Sequence, residues 1–115
     1  GGEAVKRVGQ IIHLRAGKFE EYKRLHAAVW PDVLETIRKA NIRNYTIFNW
    51  RGYLFAYFEY IGEDFDADMK AIADDPITRD WWQLTDRLQS PVEGNSTGSV
   101  DGGWWTDMIE VFHTD

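Results

Sequence analysis

The chain has no cysteine, which excludes a disulfide framework and thiolate chemistry and suits a cytosolic protein. It has no run of roughly 18 or more apolar residues, so nothing in it reads as a membrane span, and no stretch reads as a signal peptide. Basic residues are in the minority: 13 Lys and Arg stand against 19 Asp and Glu, a net charge of −6. A phosphate backbone calls for a basic face, so nucleic acid is not an expected partner. Histidine is scarce. His13, His26 and His113 lie far apart with no His-x-x-x-His pair, so no metal site is expected. Phosphate-cradling glycine loops and Gly-x-Ser-x-Gly are missing as well, and no cofactor is expected.

What the chain has in plenty is aromatic surface. Aromatic residues make up 15%, with six tryptophans, four of them in the pairs Trp81-Trp82 and Trp104-Trp105. Paired tryptophans are hard to hide in a small core, so they read as pocket or interface lining, with ordinary packing and dimer contact as the other reading. The 115 residues, 43% of them apolar, fit one globular domain spanning 1–115. At this size a large self-association surface would be no surprise.

Periodicity predicts the elements. Val5 to Arg15 reads as a strand, with Val8, Gln10, Ile12 and Leu14 on one side and Gly9, Ile11 and His13 on the other. His13 reads as a solvated or structural histidine. Phe19 to Val29 reads as a helix with Phe19, Tyr22, Leu25, His26 and Val29 on one stripe. Trp30 precedes a proline and is pushed out of the helical region, while Pro31 suits the first turn of a new helix running to Ala40. Arg43 to Trp50 and Tyr53 to Ile61 form a hairpin about Arg51-Gly52. Helices are expected from Glu63 to Ala73 and from Ile77 to Leu88, broken at Asp74-Asp75-Pro76. The 90–104 stretch reads as a glycine-rich loop, either a lid or a mobile insert, and Trp105 to His113 as the last strand.

The hairpin's second arm is informative. Tyr53, Phe55, Tyr57, Glu59 and Ile61 share one face, and Leu54, Ala56, Phe58 and Tyr60 the other. Both are largely apolar or aromatic, so both should be covered. Helices can cover one face, and the simplest cover for the other is a second copy of the chain. An aromatic-lined space between two such sheets would be a natural sugar or cofactor pocket. The order strand, helix, strand, strand, helix, strand matches the α+β ferredoxin-like βαββαβ arrangement. Closed by a partner, it becomes a dimeric α/β barrel.

Tyr22 and His26 are i and i+4 neighbours on one helical face. Histidine handles protons near neutral pH, and a phenol beside it can bond a substrate oxygen. Spacing alone leaves this pair open between a satisfied core histidine and a proton-transfer site. Glu110, between Met108 and Phe112, is expected to point inward, to a structural arginine or to a sugar hydroxyl, with the arginine preferred.

Taken in order, Glu21-Tyr22, Leu25-His26, Val29-Trp30-Pro31, Arg43 to Phe48, Leu54 to Glu59, Trp81-Trp82 and Glu110-Val111-Phe112-His113 resemble the L-rhamnose mutarotase family over nearly the whole chain. The resemblance implies a homodimer of ferredoxin-like subunits, with no cofactor or metal, that interconverts the anomers of a monosaccharide. It implies that His26 is the catalytic proton donor and that Tyr22, Tyr45, Trp81 and Trp82 contact the sugar. The segment from Ser90 to Trp105 is longer and richer in glycine than the family's usual connection, which leaves L-fucose open as the sugar. A small monooxygenase or haem-handling protein on the same barrel, and a non-catalytic sugar-binding module, are the competing readings.

Overall fold

A computed structural model describes residues 4–115; Gly1–Glu3, included in the expected 1–115 domain, lie outside the described residues. The elements run β1 (Lys6–Leu14), α1 (Phe19–His26), α2 (Pro31–Lys39), β2 (Ile42–Trp50), β3 (Tyr53–Tyr60), α3 (Phe65–Asp74), α4 (Pro76–Asp86), β4 (Gln89–Ser90), a 3-10 turn (Ser99–Asp101) and β5 (Thr106–Met108). The chain is an α+β protein built on one antiparallel sheet in the order β2-β3-β1-β4, with β5 also paired to β1.

Strand β1 lies at the centre of the sheet because its alternation gives it an apolar face to bury. Val8, Ile12 and Leu14 are buried, and β3 pairs with it from Lys6↔Tyr60 to His13↔Tyr53. Strand β3 faces Leu54, Ala56, Phe58 and Tyr60 to the same side, all buried. The β2–β3 turn is the expected one: Arg51 and Gly52 both take positive φ, 46° and 83°, as a two-residue hairpin turn demands. A bulge between Arg43 and Thr46 interrupts β2, with Asn44 at φ 54°. Beyond it the register returns, and Ile47 pairs with Ala56 on the buried side.

All four helices lie against this face. Tyr22 of α1 joins Ile12, Leu14, Leu54, Leu88 and Trp104 in one cluster. Ile37 of α2, Ile72 and Met69 of α3 and Trp82 of α4 pack with Val8, Ile42 and Phe58 in a second. The break at Trp30 is present: Trp30 is extended at φ −59°, ψ 133°, and Pro31 opens α2. The expected helix to Val29 is shorter, ending at His26, because the chain must leave the helical path before the pre-proline residue. Asp75 caps α4 by accepting from the Thr78 N–H at 2.8 Å, so the expected break is a cap with Pro76 in the first turn.

The last strand differs from expectation. Only Thr106–Met108 forms ladder pairs, Gly9↔Met108 to Ile11↔Thr106. The two-residue strand β4 pairs with the same edge, His13↔Ser90 and Leu14↔Gln89. The edge strand thus starts at Gln89, leaves the sheet after Ser90 and returns at Thr106. The glycine-rich loop is an excursion from within that strand, and it contains a 3-10 turn of its own. Continuing the β5 register sets Glu110 opposite Arg7, and the two form a bidentate ion pair at 2.9 Å and 2.9 Å. The preference for an arginine partner holds, but Glu110 is exposed rather than turned inward.

One sheet face stays open. Tyr53, Phe55 and Tyr57 are half-buried, and Trp50 is 58% and Phe112 79% exposed. Among the described residues no helix is long and apolar enough to cross a membrane.

Leu54 is 1% exposed at the centre of the buried face. Leu54→Ala is expected to lower unfolding stability by about 2–5 kcal/mol through the cavity it leaves, read as a shifted denaturant midpoint. A loss below about 0.5 kcal/mol, typical of surface substitutions, would mean this face is not the core.

Candidate active site

Helix α1 presents Tyr22 and His26 one turn apart, and their rings stack with centroids 4.1 Å apart. Trp81 of α4 meets His26 edge-on at 5.6 Å, and Trp30 meets Trp81 in the same way at 5.3 Å. Tyr45 of β2 lies against Phe58 at 5.4 Å. All five expected site residues, Tyr22, His26, Tyr45, Trp81 and Trp82, line a single open cavity of about 1440 Å³ between the helices and the sheet. It is a different space from the one expected between the sheets of two copies. The cavity lies on the helix-covered face, where the buried strand residues and α1 converge, and not on the open face opposite.

His26 has a defined tautomer. Its Nδ1 lies 2.8 Å from the Tyr22 carbonyl oxygen. A carbonyl only accepts, so Nδ1 carries the hydrogen. Burial lowers the imidazole's pKa, partly offset by this backbone bond. A neutral ring protonated at Nδ1 has its lone pair at Nε2, which makes Nε2 a base.

The phenols behave oppositely. Burial pushes Tyr22 well above the usual phenol range, helped by neighbouring Tyr45 and opposed by a bond from Gln89. Tyr45 is 40% exposed over the whole residue, yet burial of its phenol pushes it up to about 12. Both therefore stay protonated near neutral pH and can donate.

Several participants are not visible in the sequence pattern. Gln89 donates from Nε2 to the Tyr22 hydroxyl at 3.1 Å and accepts from the Trp104 indole at 3.2 Å. Asp86, at the end of α4, accepts from the Ser99 N–H at 2.8 Å and hydroxyl at 2.6 Å, which ties the glycine-rich excursion to the helix. Burial raises the Asp86 carboxyl pKa against these two bonds. Ser99, Val100 and Gly102 to Trp105 then form part of the cavity wall. Of these, the glycine-rich 90–104 loop and the Trp104-Trp105 pair carry a signal in the sequence, and Gln89, Asp86 and the contacts they make do not. His13 lies on the other sheet face, tilted on Tyr53 at 4.7 Å, and His113 bonds Asp115 at 2.9 Å. The three histidines do not converge, and among the described residues no group of three His, Asp or Glu could hold a metal ion.

The arrangement defines a class: an α+β protein that sets a neutral basic histidine and protonated phenols into an aromatic-walled cavity. Comparison with known proteins is more specific. The L-rhamnose mutarotase family model matches residues 7–114. An L-rhamnose mutarotase of Lactiplantibacillus plantarum is 35% identical over 95% of this chain and 98% of its own. One from Burkholderia ambifaria is 38% identical over 87% of this chain and 89% of its own. The crystal structure of L-rhamnose mutarotase from Formosa agariphila superposes with a TM-score of 0.74 at 21% identity, covering 96% of this chain and 99% of that one. The chain belongs to the L-rhamnose mutarotase family.

Asp86→Ala removes both bonds to Ser99. Amide hydrogen exchange at Ser99–Asp101 is expected to speed up, while the β1–β3 ladder stays protected. Unchanged exchange there would show that the carboxylate does not hold the excursion.

Proposed function

We propose that the protein is a mutarotase interconverting the α and β pyranose anomers of a 6-deoxy-L-sugar, with L-rhamnose the first choice. The observation that carries this is the Tyr22–His26 pair: a base at Nε2 and a phenol that stays protonated, stacked in one aromatic cavity. The activity named for the relatives agrees with it.

Anomer exchange needs little machinery. The C1–O5 bond breaks as O1 loses a proton and O5 gains one, leaving an aldehyde at C1. Rotation about C1–C2 and the reverse steps close the ring on the other face. No electrons enter or leave. O1 and O5 are both bonded to C1, so one nitrogen can reach both. His26 Nε2 takes the O1 proton as base and returns it to O5 as proton donor. Because burial disfavours the imidazolium, the proton is readily handed on. Tyr22 and Tyr45 donate hydrogen bonds to sugar oxygens, and the rings of Trp81 and Trp82 cover the sugar's methyl and C–H surface.

The excursion after Ser90 supplies cavity wall in this chain, so the choice between L-rhamnose and L-fucose is assigned to it. NMR saturation transfer between anomers is expected for one of the two sugars with wild type, and to be lost with His26→Ala. Accelerated exchange of neither sugar would overturn the reading, and full activity in His26→Ala would overturn the role of His26. The kcat/KM profile should fall on acidification with a midpoint below about 6.5, the ordinary histidine value. The same group links to stability. Its folded pKa is depressed, so its contribution is in place above about pH 6.5 and is lost as pH falls toward the folded value.

A homodimer is part of this proposal, with ferredoxin-like subunits joined into a dimeric α/β barrel. Support comes from the strand order and from Phe48, Trp50, Val111 and Phe112 exposed on or beside the open sheet face, an apolar display that monomers seldom leave uncovered. Sedimentation equilibrium should give twice the chain mass, and Trp50→Glu should shift it to one. A monomeric wild type at micromolar concentration rules the dimer out.

A further inference from the structure

We propose that Gln89 is a positioning residue: held by Trp104, its buried amide turns Tyr22 into a hydrogen-bond donor directed at the cavity. The inference rests on the reading of Tyr22 as a substrate contact made above.

The geometry settles which end of the amide faces which neighbour. An indole N–H can only donate, so the amide atom 3.2 Å from Trp104 Nε1 is the oxygen. The NH₂ end therefore faces the Tyr22 hydroxyl, at 3.1 Å. With its oxygen accepting from Gln89, the phenol keeps its own hydrogen for another acceptor. Tyr22 lines the cavity, so that acceptor is a ligand oxygen.

Gln89 has little freedom to do anything else. It is 3% exposed, and its backbone carbonyl accepts from Arg15 Nε at 3.0 Å. The preceding residue is held as well, Arg15 N–H to the Leu88 carbonyl at 2.8 Å. Trp104 is also buried, in the same cluster as Tyr22. The tryptophan brought back by the glycine-rich excursion thus sets the polarity of a phenol on α1 through one amide. A carboxylate at position 89 would do the opposite: accepting from both neighbours, it would take the phenol's hydrogen away from the cavity.

The test measures L-rhamnose anomer exchange by NMR, alongside a ligand-free readout, the Cζ resonance of Tyr22 in protein carrying 13C-labelled tyrosine. Gln89→Met and Gln89→Glu are each expected to lower kcat/KM by about tenfold, the size of one hydrogen bond, and to move the Tyr22 resonance. In a Tyr22→Phe background the same changes should cost nothing further. Multiplicative losses in the double variants, or wild-type rates in the single ones, overturn the proposal. Should either position-89 variant fail to fold, Trp104→Phe, which frees the amide to turn over, carries the same expectations. If wild type exchanges no anomers, the functional reading has failed, and the resonance alone decides: unmoved by these changes, it overturns the positioning role.

Discussion

The burial of Tyr22 is the constraint on which the site depends. Its ring belongs to the cluster of Ile12, Leu14, Leu54, Leu88 and Trp104, its hydroxyl is bonded by Gln89, and its backbone carbonyl accepts from His26 Nδ1. One residue therefore anchors α1 to the sheet, fixes the histidine's tautomer and presents a phenol to the cavity. The stacking of the two rings at 4.1 Å follows from the i, i+4 spacing. A partly buried histidine with no such carbonyl partner would be free to change tautomer, and its basic atom would be undefined.

The sheet divides the remaining work between its faces. Its inner face supplies the core and the cavity floor, since the residues that alternate inward on β1 and β3 are the large apolar ones. The outer face has aromatics but, among the described residues, no helix against it. Polar pairs there, Arg7 with Glu110 and Tyr57 with Glu59 at 2.8 Å, are arranged between the rings. These bonds hold the polar side chains of this face in place between the exposed rings, the arrangement on which the proposed dimer draws.

Much of this was legible in the chain because the relevant signals are local. The i, i+4 spacing of Tyr22 and His26 makes them neighbours on one helical face, Pro31 is read by its effect on Trp30, and the hairpin by Arg51-Gly52. The two side-chain sets of β3 are read from the period of two, though not which of them the helices cover. What escaped notice depends on contacts distant in sequence. Gln89 belongs to a strand of two residues, too short for any period to show, and its partner Trp104 lies across the excursion. The last strand reads as continuous to His113 because Met108, Glu110 and Phe112 fall on one face. Its ladder stops at Met108, and the pairing beyond is carried by the Arg7–Glu110 side chains. A pocket is expected between two sheets because two apolar faces are visible in the sequence; the cavity that one chain forms, under the helices, is visible only in the folded chain.

The perturbed groups make chemical sense together. Desolvation acts in opposite directions on an imidazole and a phenol, yet it disfavours the charged form of each. In one cavity it therefore keeps His26 an unprotonated base and Tyr22 a protonated donor. For the proposed reaction this assigns the moving proton to His26 alone. A phenol held that far above its usual range would give up its proton only at high cost, whereas it can strengthen a hydrogen bond to an oxygen as negative charge develops there. In the proposed reaction a transient imidazolium would form against the stacked Tyr22 ring and beside the Trp81 ring, whose π-electrons favour a cation. On the proposed reading, the aromatic walls that would take a deoxy sugar's apolar face would also favour the one charge created on the protein.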